Sequence, residues 1–330
     1  MMYNKIKISL WSLLIIVGFF ILGCQPSNNQ YMHLTGGAQG TSFSIKYKSP
    51  ESIDYSHAID SIFKVIDLSM STYIPQSIIS RINNGETDVV LDEHFVKVFN
   101  LSKQVYQESN GFFDPTVGLL VNAYGFGPKE LPENLKDVSI NELMKYVGLD
   151  KLTIENNRLI KTYQETYIDF NAIAQGYSVD VIKGFLRAHH VVDFMIEVGG
   201  EIYAQGKNPQ GNVWQIGIQN PETDSQNNIE KIISLQHHAL ATSGNYRKFK
   251  IDENGNKFVH TINPKTGQSI PSNLLSATVI TDESCALADA YATAFMAMGY
   301  ERSKDFLKSH SELETFLIYA DNESKILTSE

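Results

Sequence analysis

Hydrophobic and polar positions follow two periods along this chain, and the switches between them divide it into elements. Gly40-Thr41-Ser42-Phe43-Ser44-Ile45-Lys46-Tyr47 alternates residue by residue, the period of a half-buried strand. From Ile53 to Met70 the apolar positions Ile59, Ile62, Phe63 and Ile66 fall three or four apart, which predicts one buried helix face. Phe95 to Tyr106 repeats that spacing through Phe95, Val98, Phe99 and Val105, and Ile173, Tyr177, Val181 and Phe185 carry it along Ala172–Ala188. Met70 to Pro75 is a polar junction ended by proline, and Gly111 to Gly127 is rich in glycine and aromatics without a clear period. Short strands are predicted at Leu152–Leu159 and Thr166–Phe170. Others follow at Phe194–Val198, Glu201–Gly206, Trp214–Gln219, Ile229–Leu235 and Ala239–Ala241, broken by Gly, Asn and Pro. Ser276–Thr281 reads as a further strand, Ser284–Met298 and Lys304–Ser309 as helices, and Thr315–Tyr319 as a last strand. Strands adjacent in sequence between 194 and 241 point to antiparallel pairing. The expected architecture is α+β: a single mixed domain with a mainly antiparallel sheet and packed helices. No internal repeat, low-complexity tract or linker interrupts it after residue 31.

Composition narrows the function. With 42% hydrophobic and 19% charged residues, the chain has the apolar content to bury a real core. Lys and Arg number 27 against 37 Asp and Glu, a formal charge of -10 with no basic stripe inside it. Nucleic acid is thereby excluded as a partner, because phosphate-backbone binding needs clustered cations. At the N-terminus Lys5 and Lys7 precede an apolar run from Ile8 to Gly23, shorter than the roughly 20 residues a spanning helix needs. Ile21-Leu22-Gly23-Cys24 resembles the bacterial lipobox, with Ile where Leu is usual. That resemblance implies lipidation of Cys24, a signal peptide over 1–23, a lipidated N-terminus and polar tether over 24–34, and a folded domain over 35–330. It also implies a lipid anchor in the membrane, with the domain facing the periplasm or cell exterior, and an inner-membrane location. Cys285 is then left without a disulfide partner, and its apolar setting suits a buried, inert thiol.

Chemistry concentrates in a few blocks. Ala241-Thr242-Ser243-Gly244-Asn245-Tyr246 and His260-Thr261-Ile262-Asn263-Pro264-Lys265-Thr266-Gly267 crowd hydroxyls, amides, glycines and one histidine around two short elements. Such groups suit phosphate oxygens, and His260 can move a proton near neutral pH; the same residues equally suit a polar hairpin with ordinary turn chemistry. In Ala288-Asp289-Ala290-Tyr291-Ala292-Thr293, Asp289 and Thr293 lie four apart, so a helix presents carboxylate and hydroxyl side by side. Hard oxygens at that spacing suit Mg²⁺, and the surrounding alanines make a slim helix that a bulky ligand can approach. Asp169, before Ala172 and Gln175, stands at a strand-to-helix turn, where on its own it reads as a helix cap, with a ligand contact as the alternative. Phe113-Asp114-Pro115-Thr116-Val117-Gly118 and Tyr124-Gly125-Phe126-Gly127 supply aromatics that either wall a flat ring or pack a core. Glu197-Val198-Gly199-Gly200-Glu201 is a glycine pair between strands, and by itself says little.

Taken in order, these blocks, together with Gly40-Thr41 and Met70-Ser71-Thr72-Tyr73, resemble the ApbE family of FAD:protein FMN transferases from about residue 35 to residue 320. The resemblance implies an enzyme that binds FAD and Mg²⁺. It would cleave the pyrophosphate and move FMN onto a Thr hydroxyl of an exported electron-transfer protein, releasing AMP. It implies that Asp289 and Thr293 hold Mg²⁺ by their side chains and Ala172 by its carbonyl. Asp169, Gln175, Tyr73, Tyr124, Gly125, Phe126 and Ile262 would contact FAD, with Gln39 at the cofactor edge. Gln39 stands where the family usually has Met, and Gln175 where it usually has Lys or Glu. A Thr hydroxyl needs a base, and His260 fits that role, with Ser243, Gly244 and Asn245 positioning phosphate or target backbone. The same metal site would also serve an FAD pyrophosphatase yielding FMN and AMP. A flavin-binding lipoprotein without turnover is the reading from another class.

Overall fold

The structure, a computed structural model, describes residues 30–49, 51–220, 229–245, 249–251, 255, 257–269, 272–282, 284–321 and 324–329. The signal run, Cys24 and Tyr246 lie outside the described residues. The frame is an eight-stranded sheet of order β1-β2-β5-β6-β9-β12-β13-β14, antiparallel throughout, as the sequence led us to expect. Its strands are β1 (Gln30–Ala38), β2 (Thr41–Ser49), β5 (Phe194–Val198), β6 (Glu201–Gln205), β9 (His238–Gly244), β12 (Leu274–Thr281), β13 (Glu314–Asp321) and β14 (Ser324–Ser329). Because β1 begins at Gln30, residues 30–34 belong to the sheet and not to the expected tether. Gln39 and Gly40 turn β1 into β2 with positive φ (52° and 73°), a two-residue loop whose twist suits a hairpin.

Helices cover one face of the sheet. These are α1 (Ser56–Met70), α2 (Ile78–Asn83), α3 (Glu93–Glu108), α6 (Ala174–Ala188), α7 (Cys285–Met298) and α8 (Tyr300–Leu307). The predicted stripes do the packing: Ile59, Phe63 and Ile66 of α1, and Phe95, Val98 and Phe99 of α3, join Ile45, Tyr47, Ile196 and Tyr203 in the main core. The opposite face is covered by the hairpin of β7 (Trp214–Gln219) and β8 (Ile229–Leu235), whose Trp214, Ile216 and Ile233 pack on Leu240, Ile280 and Phe316. A satellite lobe around α4 (Gly118–Ala123) and α5 (Ile140–Leu143) has its own small core, which Ile262 enters from the far end of the chain.

Two predicted strands change form. Leu152–Leu159 is a hairpin, β3 (Leu152–Glu155) and β4 (Arg158–Lys161), turned by Asn156 and Asn157 at φ 49° and 56°, a conformation asparagine tolerates. In Thr166–Phe170 only Tyr167 makes a bridge, parallel to Val117, so the segment is a loop strung between lobes.

The alanines of α7 are put to another use than the one predicted. Ala286, Ala288, Ala290, Ala292, Ala294 and Ala297 are all buried, so the slim helix runs through the core instead of baring its backbone to a ligand. Its slimness serves close packing: a Cβ on Gly176 of α6 would fall 2.4 Å from the Cys285 carbonyl oxygen. Ser284 caps α7, its Oγ accepting from the Leu287 N–H, while Asp180 of α6 accepts from the N–H groups of Cys285 and Ala286. Cys285 is buried as expected, and burial pushes its thiol well up.

Candidate active site

Where the satellite lobe meets the sheet and α7, a cleft of about 370 Å³ opens. Segments far apart in the sequence build it. Loop 111–117 and α4 give one wall with Phe112, Asp114, Val117 and Val121. The turn before α6 contributes Asp169, Ala172 and Gln175. The β5–β6 turn brings Gly199 and Glu201, the end of β9 brings Thr242, Ser243 and Gly244, and the segment after β11 (Lys257–Val259) brings His260, Thr261 and Ile262. Asp289 and Thr293 of α7 form the floor, and Tyr73 and Phe126 complete the rim. Of the residues singled out in the sequence, Tyr73, Phe126, Asp169, Ala172, Gln175, Ser243, Gly244, His260, Ile262, Asp289 and Thr293 therefore meet in one space.

Four others are not among the lining residues. Gln39 sits on the β1–β2 turn, its Nε2 donating to Ser178 Oγ at 2.7 Å, so it braces α6. Tyr124 donates its hydroxyl to the Gly267 carbonyl at 3.2 Å, and the Lys250 ammonium donates to the Gly125 carbonyl at 2.6 Å while lying over the Phe126 ring. These contacts clamp the Tyr124–Phe126 turn against the hairpin of β10 (Phe249–Ile251) and β11. Asn245 accepts from Thr261 Oγ1 at 2.9 Å and thereby ties the end of β9 to the segment that carries His260.

The floor of the cleft is acidic and buried. Helix α6 starts at Ala174, so the Ala172 carbonyl lies ahead of its hydrogen-bond ladder, and the Gly176 N–H is one of the first-turn donors that a helix cannot satisfy internally. Asp289 Oδ2 accepts that N–H at 3.2 Å, so a carboxylate of one helix caps the next. Burial pushes the Asp289 carboxyl above the usual carboxylate range, with the Gly176 N–H acting against the rise. Glu201, at 6% exposure, is pushed up by burial and then by the charge on Asp289. Its Oε2 is buried and has no hydrogen-bond partner. Beside this pair, Thr293 Oγ1 lies 3.2 Å from Ser243 Oγ, which links α7 to β9. Asp289, Thr293 and the Ala172 carbonyl offer oxygen alone, the donor chemistry that a hard divalent cation such as Mg²⁺ takes. The residues therefore fit that ion, and the orphaned Glu201 oxygen adds negative charge to the same end of the cleft.

Two further carboxylates shape the loops. Asp169 folds onto its own neighbour, accepting from the Asn171 N–H at 2.8 Å and from its side-chain amide at 3.2 Å, and so does not cap α6. Asp114 accepts from the Thr116 N–H and hydroxyl at 2.8 and 2.6 Å, and burial pushes its carboxyl up to about 6. Pro115 accepts from the Asp169 N–H at 2.8 Å, locking these two loops together. Asp114 and Glu201 were not singled out as site residues from the sequence. Glu201 was the more legible: an acidic residue after a glycine pair in a hairpin turn must come out at the end of the sheet, where sites form.

Comparison with known proteins places this architecture. The model of the ApbE family matches residues 39–317. A curated FAD:protein FMN transferase of Haemophilus influenzae is 33% identical over 315 residues, covering 92% of this chain and 90% of that protein. One of Vibrio cholerae is 35% identical over 299 residues, covering 88% of each. Among solved structures, the flavin transferase ApbE from Vibrio cholerae superposes with a TM-score of 0.80 at 32% identity, covering 91% of this chain and 97% of that one. An ApbE protein from Thermotoga maritima gives 0.77 at 26% identity, covering 91% and 96%.

Proposed function

The chain belongs to the ApbE family and is an FAD:protein FMN transferase, and we propose that it works with Mg²⁺, takes a Thr hydroxyl as acceptor and releases AMP. One observation carries this reading: the oxygen set of Asp289, Thr293 and Ala172 and the base candidate His260 line the same cleft. Asp289, Thr293 and the Ala172 carbonyl would hold the ion. A bound Mg²⁺ supplies charge neutralisation at a pyrophosphate and at the oxygen that leaves.

The protein's own residues do the rest. Tyr73 and Phe126 at the rim offer faces on which a flavin ring stacks. Ser243 and Gly244 stand where β9 runs into the cleft, within reach of phosphate or of an acceptor backbone. His260 takes the proton of the Thr hydroxyl as its oxygen attacks the phosphorus of the FMN half. The bond from that phosphorus to the AMP oxygen breaks, AMP leaves with the electron pair, and FMN stays on the acceptor as a phosphate ester. The acceptor is an exported electron-transfer protein. A lipid on Cys24 anchors the enzyme to the inner membrane with its domain outside the cytoplasm.

The test mixes the protein, FAD, Mg²⁺ and a peptide bearing a Ser/Thr-Gly-Ala-Thr/Ser motif, and reads peptide mass and AMP together. A mass gain equal to FMN with stoichiometric AMP supports transfer to Thr. AMP and free FMN without a gain identify hydrolysis instead, and FAD binding without AMP identifies a carrier.

A further inference from the structure

The cleft holds a buried carboxyl, Glu201, to which the proposed reaction assigns no role. Glu201 is the first residue of β6, and the turn Gly199-Gly200 (φ 68° and 114°) delivers it there. Its register partner is Val198 and its strand neighbour on the same face is Tyr203; both are core residues, so Glu201 lies on the helix-covered side of the sheet. A carboxylate there has lost its water, and ionised carboxylates are kept in such places only when paired. Yet no ion pair among the described residues includes Glu201 or Asp289. The cations of α6 are engaged elsewhere, Lys183 with Asp180 at 2.6 Å and Arg187 with Gln205 and Tyr203. Asp289 receives one N–H, and Glu201 Oε2 receives nothing. Two buried carboxylates sharing a cleft with a hydroxyl and a carbonyl, and with no protein cation paired to either among the described residues, form an oxygen-rich site whose chemistry suits a divalent cation.

We propose that Glu201 is a second anionic group of the divalent-cation site, facing the ion that Asp289 and Thr293 hold. The inference rests on the reading of those two residues as cation ligands. Coordination chemistry favours it, since Mg²⁺ keeps several waters and each bound water needs an acceptor. The unpartnered Oε2 is such an acceptor, whether it meets the ion or one of its waters. A divalent charge then offsets both carboxylates, whereas Asp289 and Thr293 alone leave Glu201 uncompensated.

The experiment uses the full chain in detergent, stripped with EDTA, and titrates Mn²⁺ by electron paramagnetic resonance without FAD. Wild type, Glu201→Gln, Glu201→Asp and Asp289→Asn are compared, each with a thermal melt before and after Mn²⁺. Glu201→Gln is expected to weaken Mn²⁺ at least tenfold. Its upward shift on adding Mn²⁺ should be smaller than that of wild type. Glu201→Asp, which keeps the charge, should bind Mn²⁺ more tightly than Glu201→Gln. Wild-type affinity in Glu201→Gln alongside lost binding in Asp289→Asn overturns the role of Glu201 and leaves the cation site standing. Absence of Mn²⁺ binding in wild type overturns the cation reading itself. A Glu201→Gln whose upward melting shift on adding Mn²⁺ equals that of wild type overturns the proposal. Should that variant fail to fold, a Glu201→Asp no better than Asp289→Asn overturns it too.

Discussion

Gly176→Ala and Gly184→Ala make the same chemical change on the same helix, and the structure predicts opposite signs. Around Gly184 nothing lies within 4 Å of an added Cβ, and the residue is exposed in the middle of α6. Alanine there restricts the unfolded chain and should stabilise the protein by about 0.5–1 kcal/mol. At Gly176 the added Cβ would lie 2.4 Å from the Cys285 carbonyl oxygen, 2.7 Å from its carbon and 2.9 Å from Ala286 Cα, where ordinary contact begins at 3.4 Å. These are backbone atoms at the capped start of α7, so no side chain can swing aside; the helices must part by about 1 Å. Overpacking of this kind costs about 1–3 kcal/mol, enough to outweigh the helix-propensity gain. The same displacement pulls Asp289 from the Gly176 N–H, and about 1 Å at a catalytic group costs on the order of 100-fold in rate. Circular-dichroism melts and FMN transfer to the Thr peptide read both effects. A Gly176→Ala variant that melts at or above wild type, or transfers FMN at the wild-type rate, refutes the account of α6–α7 packing as the device that sets Asp289.

Further predictions concern single groups. Asp114 has its carboxyl raised to about 6 against an ordinary value near 3.8, so ionising it opposes folding. Its contribution is fully favourable below about pH 4 and is lost as pH rises through 6, a difference on the order of 3 kcal/mol at neutral pH. Asp114→Asn keeps an acceptor for Thr116; urea melts should show it more stable than wild type at pH 7 and converging with it toward pH 4, and parallel curves would rule this out. His260→Ala is expected to lose FMN transfer while FAD binding, followed by flavin fluorescence, stays within a few-fold of wild type; full transfer activity would remove His260 from the base role. Cys24→Ala should leave the protein free of incorporated palmitate and released from the membrane fraction, and continued lipid labelling would contradict anchoring at that residue.

Local order was legible in the sequence because it depends on near neighbours. The period of α1 and α3, the alternation of β2 and the Ser284 start of α7 follow from which side chains share a face and which backbone groups need a cap. The four-residue spacing put Asp289 and Thr293 together before any coordinates, since an α-helix leaves no choice. Where a local pattern fits two outcomes, the sequence was silent or misleading. Thr166–Phe170 has strand composition but becomes a bridging loop, because it spans two lobes and has no strand beside it. The alanines of α7 fit an open ligand face and a crowded core equally well. Only the 2.4 Å approach at Gly176 decides for the core. Asp169 reads as a helix cap, yet the α6 donor at Gly176 is taken by Asp289 from 113 residues away. Glu201 is an unremarkable residue after two glycines until β6 is laid against β5 and β9 and its buried carboxylate ends in the same cleft as Asp289, with no hydrogen-bond partner for Oε2. Burial and desolvation are properties of all the elements packed around a group, so sequence determined which chemistry the chain carries and tertiary structure alone decided which of those groups share one cleft.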